Sequence, residues 1–122
     1  MANYASGANF ERDVRKYYEA KDYYVIRSAG SKGAVDLIAF NEYGTILVQC
    51  KKQNRKKSYK EDLEKLDEVP CQRHWEKQLW IKRARKGYRV VCVPPRNGLK
   101  QADYEFELSF DEFKKAVETS ST

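Results

Sequence analysis

The tightest constraint on this chain is a single acid set in apolar sequence. Asp36 lies within Val35-Asp36-Leu37-Ile38-Ala39-Phe40, and after the turn residues Asn41 to Gly44 comes a second apolar run, Thr45 to Lys51. Two such runs around a short turn predict a hairpin over Ala34 to Phe40 and Thr45 to Lys51. Side chains alternate between faces, so Asp36, Ile38 and Phe40 share one face, as do Gln49 and Lys51. If Phe40 pairs with Thr45, the register puts Asp36 directly opposite Gln49, with Cβ atoms roughly 5 Å apart. Aspartate is disfavoured in strand interiors and costly to bury unpaired, so its presence here points to chemistry rather than packing.

The chemistry follows from the donors. A hard cation such as Mg²⁺ or Mn²⁺ takes oxygen ligands and keeps several waters, which suits one carboxylate and one amide carbonyl facing each other. Lys51 would stand beside the ion, where an ammonium steadies an attacking water or the charge that builds on phosphorus. Ahead of the hairpin, Ser28 to Gly33 gathers Ser28, Gly30, Ser31, Lys32 and Gly33. Such a loop offers backbone N–H groups, hydroxyls and one positive charge to a phosphate. The GxxxxGK[ST] order of a nucleotide-binding loop is absent.

These residues resemble the PD-(D/E)xK nuclease superfamily, and within it the archaeal and phage Holliday-junction resolvases. The matching pieces are Phe10-Glu11-Arg12, then Arg27 to Gly33 (RSAGSKG), then Val35 to Ala39 (VDLIA), then Gln49 and Lys51 as Q-x-K. The likeness spans roughly residues 7 to 53. It implies Asp36 as the central metal ligand, Glu11 as a second acid reaching the metal from the first helix, and Lys51 as the catalytic lysine. It also implies that Arg27 and Ser31 lie near the scissile phosphate, that the substrate is four-way junction DNA and that the working unit is a homodimer. Many members carry Glu at the position of Gln49, and a neutral amide binds a cation more weakly than a carboxylate does.

Charge agrees with a polyanionic partner. Lys plus Arg total 24 against 18 Asp plus Glu, a net charge of +6 and a pI near 9.2. The densest basic run, Lys51, Lys52, Arg55, Lys56, Lys57 and Lys60, follows the hairpin directly and suits the phosphate backbone of DNA. No apolar run approaches the ~20 residues that span a bilayer, and no signal-peptide pattern opens the chain, so a cytoplasmic protein without membrane contact is expected. Cys50, Cys71 and Cys92 are odd in number and lack framework spacing, which suits reduced thiols. Cys71 and His74 alone fall short of a four-ligand zinc site.

The remaining pattern predicts one domain over residues 1–122. Residues 1–7 read as a flexible arm, followed by a helix over about Ala8 to Ala20 with Phe10, Val14, Tyr17 and Tyr18 on its apolar face. Tyr23 to Arg27 reads as a strand. Ser58 with Glu61 reads as a capping box for a helix through about Val69 that faces Leu63 and Leu66 to the core and ends before Pro70. Lys77 to Lys82 and Tyr88 to Val93 form a second hairpin around Arg83 to Gly87, with Trp75 and Trp80 as core or dimer-contact aromatics. Pro94, Pro95 and Gly98 mark a loop, Tyr104 to Leu108 a last short strand, and Ser109 with Glu112 caps a helix to about Val117, before a frayed tail at 119–122.

The expected fold is therefore α/β: a restriction-endonuclease-like core with a central mixed sheet flanked by helices, an added hairpin and a C-terminal helix. The expected function is Mg²⁺- or Mn²⁺-dependent cleavage of DNA, most simply at four-way junctions. The alternatives are a nuclease of the same fold acting on flaps, single strands or duplex, a DNA-binding module whose metal site has decayed, and a basic scaffold protein with no nucleic-acid role.

Overall fold

The computed structural model describes residues 2–28, 33–53, 59–72, 74–93 and 105–119, with side chains from residue 9 onward. Its elements are α1 (Ala2–Ala20), β1 (Tyr24–Arg27), β2 (Leu37–Asn41), β3 (Gly44–Lys52), α2 (Lys60–Asp67), β4 (Glu76–Arg83), β5 (Gly87–Cys92), β6 (Glu105–Leu108) and α3 (Phe110–Thr119). The strands form one six-stranded sheet in sequence order, parallel between β3 and β4 and antiparallel elsewhere. The parallel step is where the chain needs a crossover, and α2 supplies it.

Helices cover both faces. On one face α1 and α3 pack over a core in which Phe10 and Val14 meet Leu37, Val48, Trp80 and Tyr88. Tyr17 stacks on Phe113 with ring centroids 5.3 Å apart, and Phe10 stacks on Tyr88 at 5.5 Å. Trp80 is fully buried, and its indole N–H donates to Tyr18 Oη and to Gln78 Oε1, each at 3.2 Å; Tyr18 in turn donates to Gln78 Oε1. That network lets a polar glutamine sit in the core. On the other face α2 buries Leu66 against Leu79, Ile81 and Val91.

Helix ends depart from the sequence reading in three places. α1 begins at Ala2, so the expected flexible arm at 1–7 is helical from its second residue. Ala2, Ala5 and Ala8 are strong helix formers that extend a helix already fixed by its packed face. α2 begins at Lys60 with Tyr59 as N-cap and no side-chain cap bond, so the Ser58–Glu61 capping box does not define its start; Ser58 itself lies outside the described residues. α1 ends where Asp22 takes a left-handed φ of 66° and Tyr23 N–H returns to Tyr18 O at 3.0 Å. Ser109 Oγ accepts from Glu112 N–H at 3.1 Å, as its capping pattern predicts, and α3 runs two residues past Val117 to Thr119.

Candidate metal and nucleic-acid site

Phe40 pairs with Thr45, as the turn chemistry predicts, and the β2–β3 ladder runs from Asn41↔Gly44 to Leu37↔Val48. It stops there, so Asp36 is not a ladder partner of Gln49. Asp36 N–H bonds Val48 O at 2.8 Å, one residue short of the partner that the register would require, while Asp36 O accepts from Ser28 N–H at 2.8 Å on the β1 side. In a regular antiparallel strand both backbone groups of a residue face the same neighbour; here they face opposite ones, a break of the bulge type. The freed carboxylate accepts the Cys50 backbone N–H through Oδ2 at 2.8 Å. Cys50 lies between Gln49 and Lys51, so the break anchors the acid between the two residues that the straight register would have set beside it.

Asp36 is 6% exposed. Burial pushes its carboxyl above the usual range, against the Cys50 N–H and the nearby Lys51 and Arg27 charges, which lower it. Gln49 is equally buried, at 7%, and its Oε1 has no hydrogen-bond partner among the described residues. An amide oxygen left so costs about 1–3 kcal/mol, a cost that a ligand can remove. A buried carboxylate and an unmatched amide oxygen are both hard donors, of the kind that suit a hard divalent cation.

Gln49 and Lys51 are paired with Leu79 and Ile81, which places them on the α2 face of the sheet. Lys51 Nζ lies 3.8 Å from Asp62 Oδ1, in the first turn of α2. Asp62 escaped the sequence reading. The available signal was its position four residues before the core residue Leu66, a spacing that turns both side chains to the sheet.

Glu11 and Arg27, assigned separate roles by resemblance, meet: Arg27 Nε donates to Glu11 Oε2 at 2.9 Å. Glu11 is thus engaged with a cation rather than grouped with Asp36, and among the described residues no three His, Cys, Asp or Glu side chains gather as a metal cage. Both acids nevertheless flank Cys50, whose thiol is pushed well up by burial first and then by the charges of Asp36 and Glu11. Arg27 is largely exposed beside the site. Lys52 ends β3. Ser31 and Lys32 of the loop, and Arg55, Lys56 and Lys57 of the basic run, lie outside the described residues.

Comparison with known proteins gives the context of this geometry. A crossover junction endodeoxyribonuclease Hjc from Methanocaldococcus jannaschii is 46% identical over 65 residues, 52% of this chain and 48% of that protein, so the chain matches about half the length of that curated relative. The solved structure of Hjc, a Holliday junction resolvase from Archaeoglobus fulgidus, superposes with a TM-score of 0.54 at 20% identity, covering 93% of this chain and 99% of that one; it shares the fold. The family model for the archaeal Holliday junction resolvase (Hjc) matches residues 2–119. With nearly its whole length matched, the chain belongs to the archaeal Holliday junction resolvase family, Hjc.

Proposed function

We propose that this protein is a divalent-metal-dependent endodeoxyribonuclease that nicks four-way DNA junctions inside the cell, with Asp36 and Gln49 as metal ligands and Mg²⁺ or Mn²⁺ as the ion. The observation that carries the reading is a buried, unmatched Gln49 Oε1 on the residue next to Cys50, whose backbone N–H ties down the buried Asp36 carboxylate. When bound, the cation would neutralise charge on the phosphoryl oxygens and acidify a water. Lys51 presents an ammonium from the same strand, held towards the site by Asp62, and offsets the negative charge that grows as water attacks phosphorus and the bond to one bridging oxygen breaks. Arg27 is exposed enough to exchange Glu11 for a phosphate, and Glu11 so released would complete the ligand set. Ser31, Lys32, Lys52, Arg55, Lys56 and Lys57 are assigned to the DNA backbone.

Two nicks at symmetric positions need two sites, so we assign the working unit to a homodimer. On the sheet face away from α1, Tyr24, Ile26 and Phe40 are 67%, 46% and 37% exposed, and they supply an apolar surface for a second copy. A second reading, a DNA-binding module without cleavage, draws on the neutral Gln49 and on the engagement of Glu11 with Arg27.

The deciding experiment offers an immobile four-way junction, a matched duplex and a single strand, with and without Mg²⁺ or Mn²⁺. Symmetric metal-dependent nicking of the junction alone is expected. Cleavage of the other substrates would keep the chemistry and reject the junction; tight binding without cutting would favour the binding module.

A further inference from the structure

The sheet face that carries Lys51 continues sideways into a second polar feature. Register sets Lys51 beside Ile81, Ile81 beside Arg89 and Arg89 beside Glu107, one row across β3, β4, β5 and β6. At the usual strand spacing, Arg89 stands about 10 Å from Lys51. Over Ile81 opens a cavity of about 300 Å³ walled by Arg83, Arg89, Glu105 and Glu107, with Gln53 and Tyr59 also lining it.

Each arginine is held by one acid through one nitrogen. Arg83 Nη1 donates to Glu107 Oε1 at 2.6 Å, and Arg89 Nε donates to Glu105 Oε1. Both guanidinium groups therefore keep donors without an acceptor among the described residues, arranged as the planar fork that matches a phosphate. The two acids differ in how firmly they are held. Glu107 is 65% exposed and gives up Arg83 at little cost, since its carboxylate is already in water. Glu105 is 27% exposed, and its carboxyl is held below the usual range, chiefly by the hydrogen bond from Arg89.

We propose that this cavity is a second phosphate site, which seats a nearby backbone phosphodiester of the strand held at Asp36 and Lys51, and that Glu107 masks Arg83 until the strand arrives. The strand separation sets the two seats about 10 Å apart, a distance that nearby phosphates of one strand can span. The site rests on the nuclease reading and is built on Arg83 and Arg89 rather than on the lysines of the basic run. The masked state leaves the cluster neutral, so the site adds no stray affinity for polyanions until an acid is displaced.

The test is binding of a fluorescent four-way junction in EDTA, followed by anisotropy over a range of salt. Arg83→Gln with Arg89→Gln should weaken binding about tenfold and lower the slope of log K against log salt by about one, as expected for one lost phosphate contact. Glu107→Gln should tighten binding several-fold in the parent and have no effect in the double arginine variant. Glu42→Gln, at the exposed turn between β2 and β3, controls for net charge alone. Unchanged affinity and slope in the arginine variant would overturn the site while leaving the nuclease standing, provided that the parent binds and cuts. A parent that binds no junction overturns both. Should the arginine variant not fold, Glu107→Gln decides: tightening beyond Glu42→Gln supports the site, and equal tightening refutes it.

Discussion

Replacing Gln49 by glutamate tests whether Asp36 and Gln49 share one site, and it does so without any cleavage assay. Both side chains are under a tenth exposed, so the substitution sets a second carboxylate in a pocket that already pushes Asp36 upward. The Cys50 N–H that holds Asp36 follows Gln49 in the chain, so in a shared site the two carboxylates stand roughly 5–7 Å apart and, at an effective dielectric near 20, repel by about 2–3 kcal/mol. Metal-free Gln49→Glu should therefore melt about 10 °C below the parent at pH 8. The sign with pH is fixed. A carboxyl whose folded pKa is raised keeps its stabilising contribution below the unfolded value and loses it as pH rises through the folded value, so the deficit should shrink towards pH 5 and be full at pH 8. Saturating Mn²⁺ should reverse it, because a ligand at 100 times its Kd adds about 2.7 kcal/mol, and the variant should gain more from metal than the parent does. Scanning calorimetry in EDTA and in Mn²⁺ at the two pH values reads all of this. A variant as stable as the parent in EDTA at pH 8, with no larger gain from Mn²⁺, would show that the two side chains do not share a site.

Three further outcomes are expected. Lys51→Ala should slow junction cleavage by about 10²–10³-fold in single-turnover assays while leaving binding within a few-fold, since the ammonium acts on charge that develops during reaction; Asp62→Asn, which releases Lys51 without removing it, should cost less. Tyr18→Phe should lower stability by about 1–3 kcal/mol in urea unfolding, because the hydroxyl joins Gln78 Oε1 and Trp80 Nε1 where both are buried. Gly87→Ala should cost at least about 2 kcal/mol in the same measurement, because Gly87 has φ +115° and a Cβ there would meet Leu108 O at 2.1 Å.

Much of this architecture was legible because local chemistry and tertiary packing agreed. The Asn41–Gly44 turn fixed the Phe40↔Thr45 pairing, the Phe10, Val14, Tyr17 and Tyr18 spacing gave the buried face of α1, and Arg83–Gly87 gave the second hairpin. What was hidden depends on contacts between distant segments. The ladder break at Asp36 needs Ser28, just past β1, and Cys50 from β3 at once, and period-2 alternation carries no trace of it. The Glu11–Arg27 pair joins residues on a helix and a strand whose relative rotation no spacing specifies. Nothing local marks Gln78 as buried, because its partners Tyr18 and Trp80 come together only across the helix–sheet interface.

The same break determines which variant can report on catalysis. Where β2 leaves β3, the Cys50 N–H no longer meets a strand carbonyl, and the Asp36 carboxylate takes it. The acid therefore has a structural role in the sheet besides its proposed ligand role, and Asp36→Ala removes both, leaving a half-buried donor orphaned at about 1–3 kcal/mol. Asp36→Asn keeps an oxygen for Cys50 while removing the charge. Because burial raises the Asp36 carboxyl, its ionised form opposes folding increasingly as pH rises through the folded pKa, so Asp36→Asn should be more stable than the parent in EDTA at pH 8 and lose that advantage at pH 4. It should also lose the stabilisation by Mn²⁺ and the cleavage of junctions while still binding them. A variant that is less stable than the parent at pH 8 would mean that Lys51 and Arg27 outweigh burial at this carboxylate, and that the site is held together by its charge rather than strained by it.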